Sequence, residues 1–162
     1  MLDGVDAMVR KGVADPNRLG ISGISYGGYL TARTITQDTR FKTAVLVSGI
    51  TNWIGIHTGQ TAAPESAQKM EWIDNPYDIQ TLLWDRSPTA HLKNVRSATL
   101  IFWGEFDPAI PVTQAIELYR GLRHFGVPSK LIVYPRDGHV PRERNHVKDQ
   151  YDRIVAWLRQ YL

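Results

Sequence analysis

The 162-residue sequence contains no cysteine, which excludes a disulfide framework, a thiolate metal site and a cysteine nucleophile. It also lacks a long apolar run. The opening "MLDGVDAMVRKG" has no signal-peptide h-region, and nothing later approaches membrane-spanning length, so no membrane partner and a cytoplasmic location are expected. Charge of one sign is lacking too: 19 Lys and Arg stand against 16 Asp and Glu, a net +3. The basic residues are dispersed, with only "PRERNHVK" modestly dense, which argues against nucleic acid as a partner. No His, Asp and Glu spacing matches a metal-ligand pattern, so neither a metal nor another cofactor is expected. There is no internal repeat or low-complexity tract, and the length suits one domain spanning residues 1–162.

What is present is an alternation of short apolar runs with longer amphipathic segments, the pattern of a parallel sheet with crossover helices. Four runs read as strands covered on both faces: "LGISG" from Leu19, "TAVLVSG" from Thr43, "TLIFWG" from Thr99 and "KLIVYP" from Lys130. Helical spacing marks Leu2 to Lys11, Val112 to Phe125 and Val147 to Leu162. The fold class is therefore α/β, a partial parallel sheet of about four strands with helices on both faces. Between the second and third strands lie about 50 to 97, rich in aromatic residues and too long for a simple crossover. One or two short helices over the sheet are expected there.

The first strand runs into Gly23-Ile24-Ser25-Tyr26-Gly27, and a helix is expected directly after it. In such a G-x-S-x-G turn the central residue is forced into a strained conformation at the strand tip, and the flanking glycines relieve collisions with nearby backbone. Ser25 is the expected nucleophile, and the N–H of Tyr26 the expected oxyanion donor. A serine needs an imidazole base and a carboxylate to orient it, and after this motif they follow in the order acid, then histidine. Asp107 follows the third strand and His139 the fourth, so both belong to the sheet edge that presents Ser25. Glu105 is a second candidate for the carboxylate. Asp137, two residues from His139, reads as a turn residue. For His57, His91, His124 and His146 a surface or capping role is expected.

At these residues the chain resembles the catalytic domain of the prolyl oligopeptidase family of serine peptidases, in particular its acylaminoacyl-peptidase-like branch, which has the α/β-hydrolase fold. The segment "DPNRLGISGISYGGYLT" is similar to the family's nucleophile region, "SPTAHLKNVRSATLIFWGEFDPAIPVTQA" to its acid region, and "GVPSKLIVYPRDGH" to its histidine region. The resemblance gives Ser25, Asp107 and His139 the triad positions, with a short peptide or small ester as substrate. It also makes the insertion part of the pocket, with Trp53 and Trp72 as candidate walls. Members of the family usually carry an N-terminal β-propeller, and further strands precede the nucleophile segment. This sequence begins at the helix leading into that segment, so the first strand is expected to present an open edge and the chain to form a homo-oligomer that completes the sheet. A different class of reading stays open beside the hydrolase: a weak or inactive fragment serving as an assembly or interaction module.

Overall fold

Alternation along the central strands decides the layering. In a computed structural model of the protein, which describes residues 2–57 and 75–162, Phe41–Val47 forms strand β2 and Ala98–Gly104 strand β3. Ala44, Leu46, Ile101 and Trp103 join one buried cluster, while Val45, Val47, Leu100 and Phe102 join another. Successive side chains of a strand point to opposite faces, so these uninterrupted apolar runs imply cover on both sides. Strand β1, Leu19–Ile24, and strand β4, Ser129–Tyr134, flank them in a parallel sheet of order β1-β2-β3-β4.

Helix α1 (Leu2–Arg10), helix α2 (Tyr26–Gln37) and helix α5 (Val112–His124) contribute Leu2, Val5, Ala32, Ile35, Leu118 and Leu122 to the first cluster. The second face is covered by helix α6 (Arg144–Tyr161), whose Trp157 packs with Val45 and Leu100. The insertion supplies short elements: α3 (Trp53–Gly55), α4 (Gln80–Arg86) and a 3₁₀ segment, Pro88–Asn94, whose Leu92 enters the first cluster. Helix α6 begins three residues before its expected start at Val147. Its N-cap is Glu143, which makes no side-chain capping bond, so the sequence carries no capping signal there.

Among the described residues β1 pairs only with β2, and Ile24, its last residue, is 54 % exposed. An unpaired strand edge is a template for a further strand. Prepared as these 162 residues, the protein is expected to self-associate through β1 at micromolar concentration. Sedimentation velocity checks this, and a single stable monomeric species would count against it.

Candidate active site

Ser25 sits between the end of β1 and the start of α2 with φ 57° and ψ −121°, in the left-handed half of backbone space. A residue other than glycine stays there only when its surroundings over-determine it, at a cost of order 1–3 kcal/mol. Its N–H donates to the Val47 carbonyl (2.9 Å), and its carbonyl accepts from the Tyr29 N–H (3.0 Å). One bond anchors the residue to the neighbouring strand and the other to its own helix. Gly23 makes the sharp turn possible, because a Cβ there would overlap the Gly27 backbone. Gly27 differs from expectation: a Cβ on it would meet open space. Tyr26 opens α2, so its N–H lies in the first turn, at the positive end of the helix dipole.

At the carboxyl end of β3 the chain turns through Glu105 and Phe106 into Asp107, whose side chain is fully buried. Its Oδ1 accepts from the N–H groups of Ala109 and Ile110, both at 2.9 Å. The Ile110 carbonyl in turn accepts from the indole Nε1 of buried Trp103 at 2.8 Å. With Oδ1 occupied, Oδ2 faces His139 Nδ1 at 2.8 Å. That hydrogen bond is the main cause that raises the His139 pKa; partial burial opposes it, and the Asp107 charge adds to it. When neutral His139 donates from Nδ1, its Nε2 is left as an acceptor. His139 also lines a cleft of about 490 Å³ with Pro108, Val140 and Arg142.

The other candidates separate clearly. Glu105 is exposed and accepts from the Arg136 N–H at 3.3 Å; Asp107 is the carboxylate bonded to His139. Gly104 brings the two loops together, since a Cβ on it would overlap the backbone of Asp137 and Gly138. His91 Nε2–H donates to the Asp85 carbonyl (2.7 Å), and His124 is exposed at the end of α5. His57 departs from the surface role expected of it: it is 4 % exposed and stacks on Trp53 at 5.5 Å, and burial lowers its pKa. Asp137 and His146 also depart from expectation. Asp137 is more than a turn residue, being buried and bonded through Oδ2 to His146 Nδ1 at 2.7 Å. Trp53 is 1 % exposed and stands edge-on to Tyr29 at 5.2 Å, while Trp72 lies outside the described residues.

Three parallel strands thus deliver a strained serine and a hydrogen-bonded Asp–His pair to the carboxyl rim of one sheet, the arrangement of an α/β-hydrolase. The model of the prolyl oligopeptidase family matches residues 1–162, and the chain belongs to that family. It is similar to the uncharacterized peptidase YuxL of Bacillus subtilis, with 34 % identity over 97 % of this chain and 24 % of that protein. It is also similar to the acylamino-acid-releasing enzyme of Arabidopsis thaliana, with 27 % identity over 97 % of this chain and 22 % of that enzyme. Among solved structures, the acylaminoacyl peptidase of Pyrococcus horikoshii superposes with a TM-score of 0.92 at 27 % identity, covering 99 % of this chain and 27 % of that one. A puromycin-hydrolyzing peptidase of Mycobacterium tuberculosis gives 0.92 at 28 %, covering 99 % and 24 %. The chain therefore spans about a quarter of the length of the proteins it matches.

Proposed function

We propose that the chain carries the catalytic machinery of a serine hydrolase that cleaves short peptides or small esters through an acyl-enzyme on Ser25. The observation that carries this reading is the 2.8 Å bond between buried Asp107 and His139, on the rim that also presents strained Ser25. Ser25 Oγ attacks the substrate carbonyl carbon as His139 Nε2 takes the hydroxyl proton, giving a tetrahedral intermediate. The Tyr26 N–H stabilises its oxyanion, aided by the positive end of α2. Collapse breaks the bond to the amine or alcohol, which leaves with the proton from His139. Water then attacks the acyl-enzyme while His139 takes a proton from it, and the acid is released as Ser25 regains its hydrogen. Asp107 holds the Nδ1–H tautomer and stabilises the imidazolium formed in each half-reaction. Trp53, reached from Tyr26 through Tyr29 in a row of ring contacts at 5.4 and 5.2 Å, is proposed to back the acyl pocket.

Similarity to an acylamino-acid-releasing enzyme and an acylaminoacyl peptidase directs the choice of assay toward N-acylated peptides beside activated esters. The direct test is covalent labelling with a fluorophosphonate, read as added mass on the peptide containing Ser25. Labelling of a folded chain at that residue is expected. A folded chain that does not label would favour the interaction module, a reading that the open edge of β1 supports.

A further inference from the structure

Behind the Asp107–His139 bond lies a second aspartate–histidine pair that takes no part in the steps above. The loop carrying His139 leaves β4 after Tyr134 and enters α6 at Arg144. Its first residues lean on the acid loop: Glu105 N–H donates to the Tyr134 carbonyl and Phe106 N–H to the Asp137 carbonyl, each at 2.9 Å. Arg136 lies at φ 67°, a conformation that survives only when neighbouring contacts enforce it. Those contacts come from both sides of the loop, the Arg136 N–H donating to Glu105 Oε2 at 3.3 Å on the near side. The Arg136 guanidinium makes two 2.8 Å bonds to the Glu143 carboxylate. Asp137 Oδ1 accepts from the Arg142 N–H at 3.1 Å, and Oδ2 from His146 Nδ1 at 2.7 Å.

His146 is itself fixed. Its ring lies nearly flat against Tyr134, 4.9 Å between centroids and 23° between planes, and the Tyr134 hydroxyl donates to Asp149 Oδ2 at 2.9 Å. The Asp137–His146 bond therefore ties the turn after β4 to the first turn of α6 and closes the loop that holds His139. Burial pushes the Asp137 carboxyl up, but the Arg142 N–H, the His146 ring and the Glu143 N–H outweigh it and leave the group below the usual carboxylate range. An ionised Asp137 only accepts, so His146 Nδ1 carries the shared hydrogen.

We propose that Asp137 and His146 are positioning residues that hold the His139 imidazole in register with Asp107. The proposal rests on the hydrolase reading for its kinetic consequence and on geometry alone for its structural one. The bond between Asp107 and His139 joins two loops, and a carboxylate can raise an imidazole pKa through a hydrogen bond only while the distance is kept. If the Asp137–His146 tie is lost, the His139 loop gains freedom, and that bond lengthens or breaks for part of the time. A misplacement of about 1 Å is enough to cost on the order of 10²-fold in rate.

The test uses the 162-residue chain and two readouts, the NMR titration of the His139 ring and the rate of fluorophosphonate labelling at Ser25. The titrating groups around His146 are Asp137 on the loop, Glu143 with Nε2 to Oε2 at 3.8 Å, Tyr134 on β4, and Asp149, whose other bond is to Arg153. All of these are kept in the variants, and alanine and asparagine at 146 both remove the titrating ring, so a His139 midpoint that differs between them reports the lost tie. In His146→Ala the midpoint is expected to fall toward the ordinary imidazole value, with labelling slower by about 10- to 10²-fold. His146→Asn, whose amide N–H can reach Asp137 from the position of Nδ1, should restore both readouts. If the alanine variant does not fold, His146→Leu, which keeps apolar cover on Tyr134, makes the same comparison. A folded variant without the N–H donor but with the wild-type midpoint and labelling rate overturns the proposal. A wild type that titrates high yet does not label would instead sink the hydrolase reading, and the midpoints would still decide the positioning role.

Discussion

Ser25→Ala is expected to abolish fluorophosphonate labelling and to lower hydrolysis of any ester or peptide the chain accepts by on the order of 10⁴-fold or more. The loss should be chemical. Both bonds that hold residue 25 are made by its backbone, to Val47 and from Tyr29, and they survive the substitution. Alanine also has the same unfavourable φ as serine, so the melting temperature should barely move. Ser25→Gly separates the two effects further. Glycine tolerates φ 57°, so this variant should lose activity equally while gaining about 1 kcal/mol of stability. For a domain of this size that is about 2–4 °C in melting temperature. Hydrolysis that stays within tenfold of wild type in folded Ser25→Ala would show that another group attacks the carbonyl.

The parts of the fold that could be read from the sequence are those enforced by burial on two sides. The runs from Ala44 to Val47 and from Leu100 to Trp103 are apolar at every position because both faces of β2 and β3 are covered, and this gives a signal that neither loop length nor turn type can hide. Gly23 and Ser25 were legible for a related reason. A strand-to-helix turn this tight has one steric solution, and the glycine that permits it stands two residues before the serine.

Residues whose partners come from irregular segments were not legible. His57 is buried because the insertion folds Trp53 against Tyr29 and places the imidazole on the indole, and no periodicity announces such packing. The Asp137–His146 pair depends on where α6 begins. With the helix read from Val147, His146 falls outside it; with the helix starting at Arg144, it stands in the first turn, beside the aspartate nine residues earlier. A side-chain cap at Glu143 would have marked that start, and the chain uses backbone contacts and the Arg136–Glu143 pair there instead.

Asp107→Asn should cost about 10⁴-fold in turnover with the fold retained. Asparagine can keep its carbonyl oxygen on the Ala109 and Ile110 N–H groups, so the loop survives. What then faces His139 Nδ1 is an amide N–H, which favours the tautomer with its proton on Nε2, and that nitrogen can no longer accept from Ser25. The pH profile gives an independent check. Neutral His139 is the working base, and the Asp107 hydrogen bond raises its pKa above that of an ordinary imidazole, so the acidic limb of the wild-type rate profile should lie above the pH range in which a free histidine titrates. In Asp107→Asn both the hydrogen bond and the charge that favour the imidazolium are gone, while partial burial still opposes it, so the limb should move to lower pH. Stability should follow the same sign. A histidine whose pKa is raised on folding contributes stability fully below its unfolded value, and this contribution is lost as pH rises through the folded value. The variant should therefore be more destabilised relative to wild type at pH 6 than at pH 9, as denaturant melts at the two pH values would show. An acidic limb and a stability difference that both stay where they are would mean that Asp107 does not govern the protonation of His139.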